Sequence, residues 1–338
     1  MKKGLITVCI LLVIAILAGY WLYNRAMTPN VTTPDQKDFS LYIPTGAEFG
    51  QVKDSLYANN LIHDRSAFEW IADKKDYTEH VKPGRYILTN GMSNNQLVNT
   101  LRGGLQTPVK VTFNNMRDVK MLAGRIGTQI EADSASIANY LDNPQTLEQL
   151  GFNAQTIPAM FLPNTYEFYW NTSAEKYVEK MKGEYDKYWT AERLNLAKSI
   201  GLSPVQVSIL ASIVNKETNK TDEMARIAGV YLNRLRSGWL LQADPTLVFA
   251  VGDFELKRVL NVHKEVESPY NTYKYAGLPP GPICIPSLES INAVLHAEKH
   301  NYYYFCAKED FSGYHNFAKT LTEHNRNAQR YQKALNNL

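Results

Sequence analysis

Glu217 is the residue at which this sequence breaks its own pattern. Around "SIVNKETN" (212–219), Val207, Leu210, Ile213 and Val214 step along one face of a predicted amphipathic helix. At 100° per residue, with Leu210 at 0°, Ile213 falls at about −60°, Val214 at about +40° and Glu217 at about −20°. The carboxylate therefore points with the apolar side chains, while Asn215 and Lys216 point away. Burial in such surroundings disfavours the charged form and raises the carboxyl pKa. A glutamate poised near neutrality can give a proton and later take it back, as a general acid must when a glycosidic bond is cut. The alternative is structural: the face opens to solvent at the helix end, and Glu217 pairs with Arg226 or Lys220.

A two-carboxylate glycosidase needs a second acid. Asp222 and Glu223 read as first-turn residues of the next helix, and Asp244 as a cap before Pro245. If Glu217 is catalytic, the sequence predicts that it works without a partner carboxylate. Other constellations fail. "HAEKH" (296–300) matches neither zinc-protease spacing, so His296 and His300 are expected at the surface and no metal site is predicted. There is no G-x-S-x-G, Walker loop or dinucleotide fingerprint, and Cys284 with His315 is a weak thiol-enzyme signal.

Several elements must position the acid. Ser203-Pro204 predicts the start of the Glu217 helix. A second helix begins near Thr221, with Met224, Ile227, Ala228, Tyr231, Leu232 and Leu235 as its core stripe, and Gly238 ends it. A third follows Asp244-Pro245. The segment 268–286, rich in Pro, Gly and Tyr, is a long loop of the kind that serves function. A helix (287–298), a strand (302–307) and a last helix opened by Thr320 and Glu323 complete the chain. Residues 110–195 are expected to be mostly helical, with "FLPNTYEFYWNTS" (161–173) as an aromatic insert covering core.

Upstream lies a repeat. "LYIPTGAEFGQVKDSL" (41–56) and "RYILTNGMSNNQLVNTL" (85–101) share a strand, a glycine turn and a helix, with Gln51/Gln96, Val52/Leu97 and Leu56/Leu101 at equal offsets from Gly46 and Gly91. A weaker third copy runs from Val109 to Ile126, with Met116 in the glycine's place. Between the first two, Ser66 and Glu69 suggest a capping box over Phe68, Trp70 and Ile71. This is a small α+β module.

Gly4 to Tyr23 carry no charge, which is long enough to span a bilayer as a helix. Lys2 and Lys3 precede it and Arg25 follows, so the N-terminus is expected in the cytoplasm and the chain beyond about Ala26 outside. Tyr20, Trp21 and Tyr23 suit the outer interface, and the polar residues 27–38 read as a linker. The 338 residues carry a net charge of +3, too weak for a nucleic-acid partner, and have no basic run. Three cysteines make no disulfide framework; Cys284 and Cys306 either pair or stay buried thiols.

"IVNKET", "VYLNRLRSGWLLQADPT", "SPYNTYKYAGLPPGPI" and "HNFAKTLTEHN", preceded by "FLPNTYEFY", resemble the successive motifs of the YceG-like family, the endolytic murein transglycosylases. The resemblance runs from about residue 40 to 332. It implies an α+β protein: residues 1–26 as cytoplasmic tip and transmembrane helix, 27–38 as linker, 39–106 as a LysM-like module and 107–338 as a mixed α+β catalytic domain. It implies a single-pass cell-membrane protein acting outside the cytoplasm on peptidoglycan strands, without a cofactor, with partners among peptidoglycan synthases. The cut would fall between N-acetylmuramic acid and N-acetylglucosamine and leave a 1,6-anhydro end, because the muramyl 6-hydroxyl is the nucleophile. The catalytic glutamate falls on Glu217, and the missing second carboxylate is then expected. Asn233, Gln242, Asp244, Thr246, Tyr270, Asn271, Thr272, Tyr273, His315, His324 and Asn325 match polar or loop positions of the family's motifs, in substrate-contacting or structural roles. Asn215 and "CIPSLES" depart from the family pattern. A hydrolytic muramidase and a non-catalytic glycan-binding scaffold are the alternatives.

Overall fold

The computed structural model describes residues 2–256 and 259–337. Among them are fourteen α-helices and three two-stranded sheets, a mixed α+β architecture. The chain forms two compact units: 1–111 with 129–132 and 166–173, and the remainder.

The first unit opens with α1 (Lys2–Met27), which carries the apolar span Gly4–Met27; its most apolar 18 residues have a mean hydropathy of 2.7 and are not buried in protein, as fits a single membrane anchor. Then come β1 (Phe39–Ile43), α2 (Phe49–Ala58), α3 (Arg65–Lys74), β2 (Gly84–Leu88) and α4 (Asn94–Gly103). β1 and β2 pair antiparallel, with Leu41 opposite Tyr86. Leu41, Ile43, Tyr86 and Leu88 are buried on the inner face, as a period of two requires. The sequence repeat has a physical cause. Gly46 and Gly91 take φ of +80° and +81°, where a side chain would be strained. Gln51 and Gln96 each close a capping box, with Glu48 and Ser93 respectively. Val52, Leu56, Leu97 and Leu101 fill one core.

Two local expectations change. Asp64, not Ser66, caps α3, accepting from the amide of Ala67 at 2.9 Å, while Ser66 donates to Asp64 and Glu69 accepts from Tyr57. Residues 27–38, expected to run free as a linker, are stitched to the module. The amides of Asn30 and Val31 donate to Met92 O and that of Thr32 to Leu61 O, and Val31 is buried. Backbone polar groups that find partners in a fold do not stay in a tether.

β3 (Val109–Phe113) and β4 (Asn164–Phe168) pair with each other. The second unit is largely helical: α5 (Val119–Gly127), α6 (Ser134–Asp142), α7 (Pro144–Leu150), α8 (Ala174–Tyr188) and α9 (Ala191–Ser199) lead to α10 (Pro204–Glu217), α11 (Thr221–Arg236), α12 (Asp244–Val251), α13 (Leu288–Leu295) and α14 (Leu321–Leu335). β5 (Tyr304–Ala307) and β6 (His315–Ala318) form an antiparallel pair. Ser203 caps α10 in a capping box with Gln206, and Val207 through Val214 are all buried. Residues 268–286 form no regular element, yet Asn271, Thr272, Ile283, Cys284 and Ile285 are buried.

His300, expected at the surface, lies half-buried instead. It bonds Arg226 O at 2.9 Å, and it and the carbonyl of Glu298 press on α11 at Gly229. A Cβ at Gly229 would lie 2.4 Å from Glu298 O and 2.6 Å from the His300 ring. Alanine normally stabilises an exposed helix by about 1 kcal/mol over glycine. Here Gly229→Ala is expected to cost about 1–3 kcal/mol, because a backbone carbonyl must retreat. A fall in the urea midpoint is the readout; a rise would show that the contact yields freely.

Candidate active site

Glu217 is the last residue of α10, and the chain turns extended at Thr218. Its carboxyl lines a cavity of about 970 Å³, walled by Asp244, Pro245, Val248 and Phe249 of α12, by Phe254, Leu256 and Ile283, and by Tyr331 and Leu335 of α14. Arg117 and Lys216 add positive charge to the wall, and Arg117 lies 4.3 Å over the Phe254 ring. Lys216, expected to point away, is exposed at this cavity.

The side chain is half-buried and accepts a 2.5 Å hydrogen bond at Oε1 from the Tyr231 hydroxyl. Neither expected cation takes it: Arg226 pairs with Glu298 at 2.9 Å, and Lys220 lies over the Tyr314 ring. Burial pushes the Glu217 carboxyl up to about 7, and nearby Asp244 adds to the rise. The Tyr231 hydrogen bond and the Arg234 charge pull the other way. The negative end of the α10 dipole, where Glu217 sits, also works against an anion.

Asp244 is the main correction. The cap of α12 is Ala243, which makes no side-chain cap bond. Thr246 takes up the Ala243 carbonyl through both its amide and its hydroxyl. The Asp244 carboxylate is thus released into the Glu217 cavity, where it accepts a hydrogen bond from the Tyr273 hydroxyl. A second carboxylate is present after all. Burial raises the Tyr273 hydroxyl pKa, and Asp244 raises it further.

Tyr231 was legible only as a helix-stripe residue, and Arg234 was not singled out from the sequence at all. Arg234 is 8% exposed and donates to the carbonyls of Tyr303, at 2.8 Å, and of Leu241. It lies 5.9 Å from the ring centres of both Tyr231 and Tyr304. It stands three residues after Tyr231, so the reasoning that singled out Glu217, a charge on a core face, would have found it.

The other candidates divide. Tyr270 packs against the cavity residue Phe249 at 4.6 Å. Thr246 and Thr272 are buried and share a 2.8 Å hydroxyl contact, and Thr272 O accepts from the amide of Gln242, whose side chain is exposed. Asn271 ties the loop by donating to Lys264 O and Val266 O. These residues hold Tyr273 and Asp244 in place. Asn233 donates to His300 O and Tyr302 O and lines a different cavity, of about 430 Å³. His315 binds the buried Glu223 at 2.7 Å. His324 stacks on Tyr304, and burial, with the Arg234 charge, lowers its pKa. Asn325 is exposed on α14. Asn215 accepts from the amide of Ser287, which caps α13, so the departing residues secure one another. Cys284 and Cys306 are free thiols.

A carboxylic acid held near neutral pKa beside a ligand-sized cavity can transfer a proton to a leaving oxygen; such cavities run to about 300–1,000 Å³. Such an arrangement is chemically suited to general acid–base cleavage. Residues 41–330 match the YceG-like family, and the chain belongs to it. It is 28% identical over 337 residues to the endolytic murein transglycosylase of Bacillus subtilis, covering 95% of this chain and 92% of that one. It is 26% identical over 372 residues to the protein of the same name from Streptococcus pneumoniae D39, covering 99% of this chain but 66% of that one. The 2.6 Å crystal structure of the yceG-like protein lmo1499 from Listeria monocytogenes superposes with a TM-score of 0.57 at 27% identity, over 87% of this chain and 99% of that one.

Proposed function

We propose that this chain is a membrane-anchored lytic transglycosylase acting on peptidoglycan, cutting the β-1,4 bond between N-acetylmuramic acid and N-acetylglucosamine. One observation carries the reading: Glu217 lines the cavity with its carboxyl pushed up to about 7 by burial. The names of the Bacillus and Streptococcus relatives support the substrate class. In the proposed reaction, protonated Glu217 gives its proton to the glycosidic oxygen as the bond to muramyl C1 breaks. The resulting carboxylate takes the proton of the muramyl 6-hydroxyl as O6 bonds to C1. A 1,6-anhydro end forms, Glu217 regains its proton, and no water is consumed. Lys2, ahead of the apolar span Gly4–Met27, supports a cytoplasmic N-terminus and a body outside the membrane.

A second reading, hydrolysis, is favoured by Asp244, since a carboxylate in the same cavity is what a muramidase uses to stabilise C1 or activate water. Digesting uncrosslinked glycan strands in ¹⁸O-water separates the two. Lytic cleavage gives unlabelled ends lighter by one water; labelled reducing ends would make the chain a muramidase; no cleavage would favour a scaffold. Asp244→Asn sharpens the test. On the lytic reading it still yields anhydro ends, and the alkaline limb of kcat/KM moves to lower pH. The sign follows because removing the Asp244 charge removes an influence that raises Glu217, which must be protonated to act.

A further inference from the structure

The way the first unit is built onto α1 fixes its depth at the membrane. A helix rises 1.5 Å per residue, so a hydrocarbon core of about 30 Å takes about 20 residues. Counted from Gly4, that core is filled by Tyr23, which puts Trp21 to Arg25 at the far interface. The globular part of the unit folds back onto this same stretch. The ring of Trp70, on α3, lies 5.7 Å from that of Trp21. The Arg25 guanidinium lies 4.5 Å over Trp21 and 5.9 Å from Trp70.

A closed ring of polar bonds locks this arrangement. Arg25 donates to Ser66 at 3.0 Å, and Ser66 donates to Asp64. The Asp64 carbonyl and amide both engage the Asn30 side chain. Asn30 donates to Asn94 at 2.6 Å, and Asn94 donates to Arg25 O at 2.8 Å. The helix end is thereby tied to the first turns of α3 and α4. A free 12-residue tether would let the module wander with an r.m.s. reach of about 19 Å. With Asn30, Val31 and Thr33 buried, that slack is absent.

A side chain within 6 Å of Trp21 shares its depth. We propose that the α3–α4 end of this unit is a membrane-seated surface, with Trp70 and Arg25 resting in the lipid headgroup layer of the outer leaflet. The partner is the lipid surface itself. A tryptophan there keeps its ring at the apolar boundary and its N–H in the wet layer, and a guanidinium meets phosphate. This rests on the reading of α1 as a span.

The test uses the full chain in nanodiscs of phosphatidylcholine and phosphatidylglycerol. One variant keeps Trp70 as its sole tryptophan and another keeps Trp21, the remaining four being replaced by Phe. Lipids carry a nitroxide at the headgroup or near the bilayer centre. Trp70 is expected to be quenched at least about twofold more by the headgroup label than by the central one, as interfacial aromatics are. Quenching of Trp21 with none of Trp70 would overturn the seat and leave the span standing. Lipid labels that quench neither would overturn the span, and the seat with it. Should the multiple replacements unfold the chain, Trp70→Phe alone must remove part of the headgroup quenching seen in the unaltered protein; unchanged quenching would count against the proposal.

Discussion

Glu217→Gln is expected to lower turnover on peptidoglycan by about 10³-fold or more while leaving glycan binding intact, the upper part of the range for loss of a general acid. Glutamine keeps the size of the side chain and can still accept from the Tyr231 hydroxyl, so the wall of the cavity survives. What goes is the proton. The same substitution should change stability in a pH-dependent way. The carboxyl is raised from 4.5 to about 7 in the folded chain. The folded state therefore holds this proton more tightly than the unfolded state. Its stabilising contribution is full below pH 4.5 and is lost as pH rises through 7. Removing the acid removes that loss, so at pH 8 Glu217→Gln should be more stable than the parent by up to about 3 kcal/mol, less where cavity water screens the group. Thermal melts at pH 5 and pH 8 read this directly; equal melting shifts at both would mean that Glu217 titrates as an ordinary carboxylate.

The second large effect is expected at Arg234. Arg234→Met leaves the carbonyls of Tyr303 and Leu241 without their donor in a buried place, at a cost of about 3–5 kcal/mol. It also removes the positive charge that holds Glu217 down. The alkaline limb of kcat/KM should then move to higher pH, opposite in sign to the shift expected for Asp244→Asn. Arg234→Lys keeps the charge but lacks the fork that reaches two carbonyls. It should lose part of the stability and keep the limb near its original pH. A limb that ignores both substitutions would place Arg234 in a purely structural role.

What could be read from the sequence was local. The period of α10 placed Glu217, Ser203-Pro204 placed the helix start, and equal offsets from Gly46 and Gly91 exposed two matching turn-and-helix devices. What escaped was long-range. Asp-Pro at a helix start matches the pattern of a cap, yet the partner of Asp244 is Tyr273, 29 residues away. Residues 27–38 look like a polar linker, yet Asn30 bonds Asn94, 64 residues on. Arg234 went unread because its carbonyl partners, on Leu241 and Tyr303, lie outside its own helix. Family motifs brought Asn233 into the candidate set, and only the fold places it at another cavity.

In the proposed reaction Glu217 is kept protonated near neutral pH to serve as the acid. The direct measurement is a pH titration of the side-chain carboxyl carbons by ¹³C NMR in glutamate-labelled protein, with Glu217→Gln identifying the resonance by its loss. The midpoint expected is near 7. A midpoint at the ordinary 4.5 would contradict the account, leaving Glu217 ionised and without a proton to give at neutral pH.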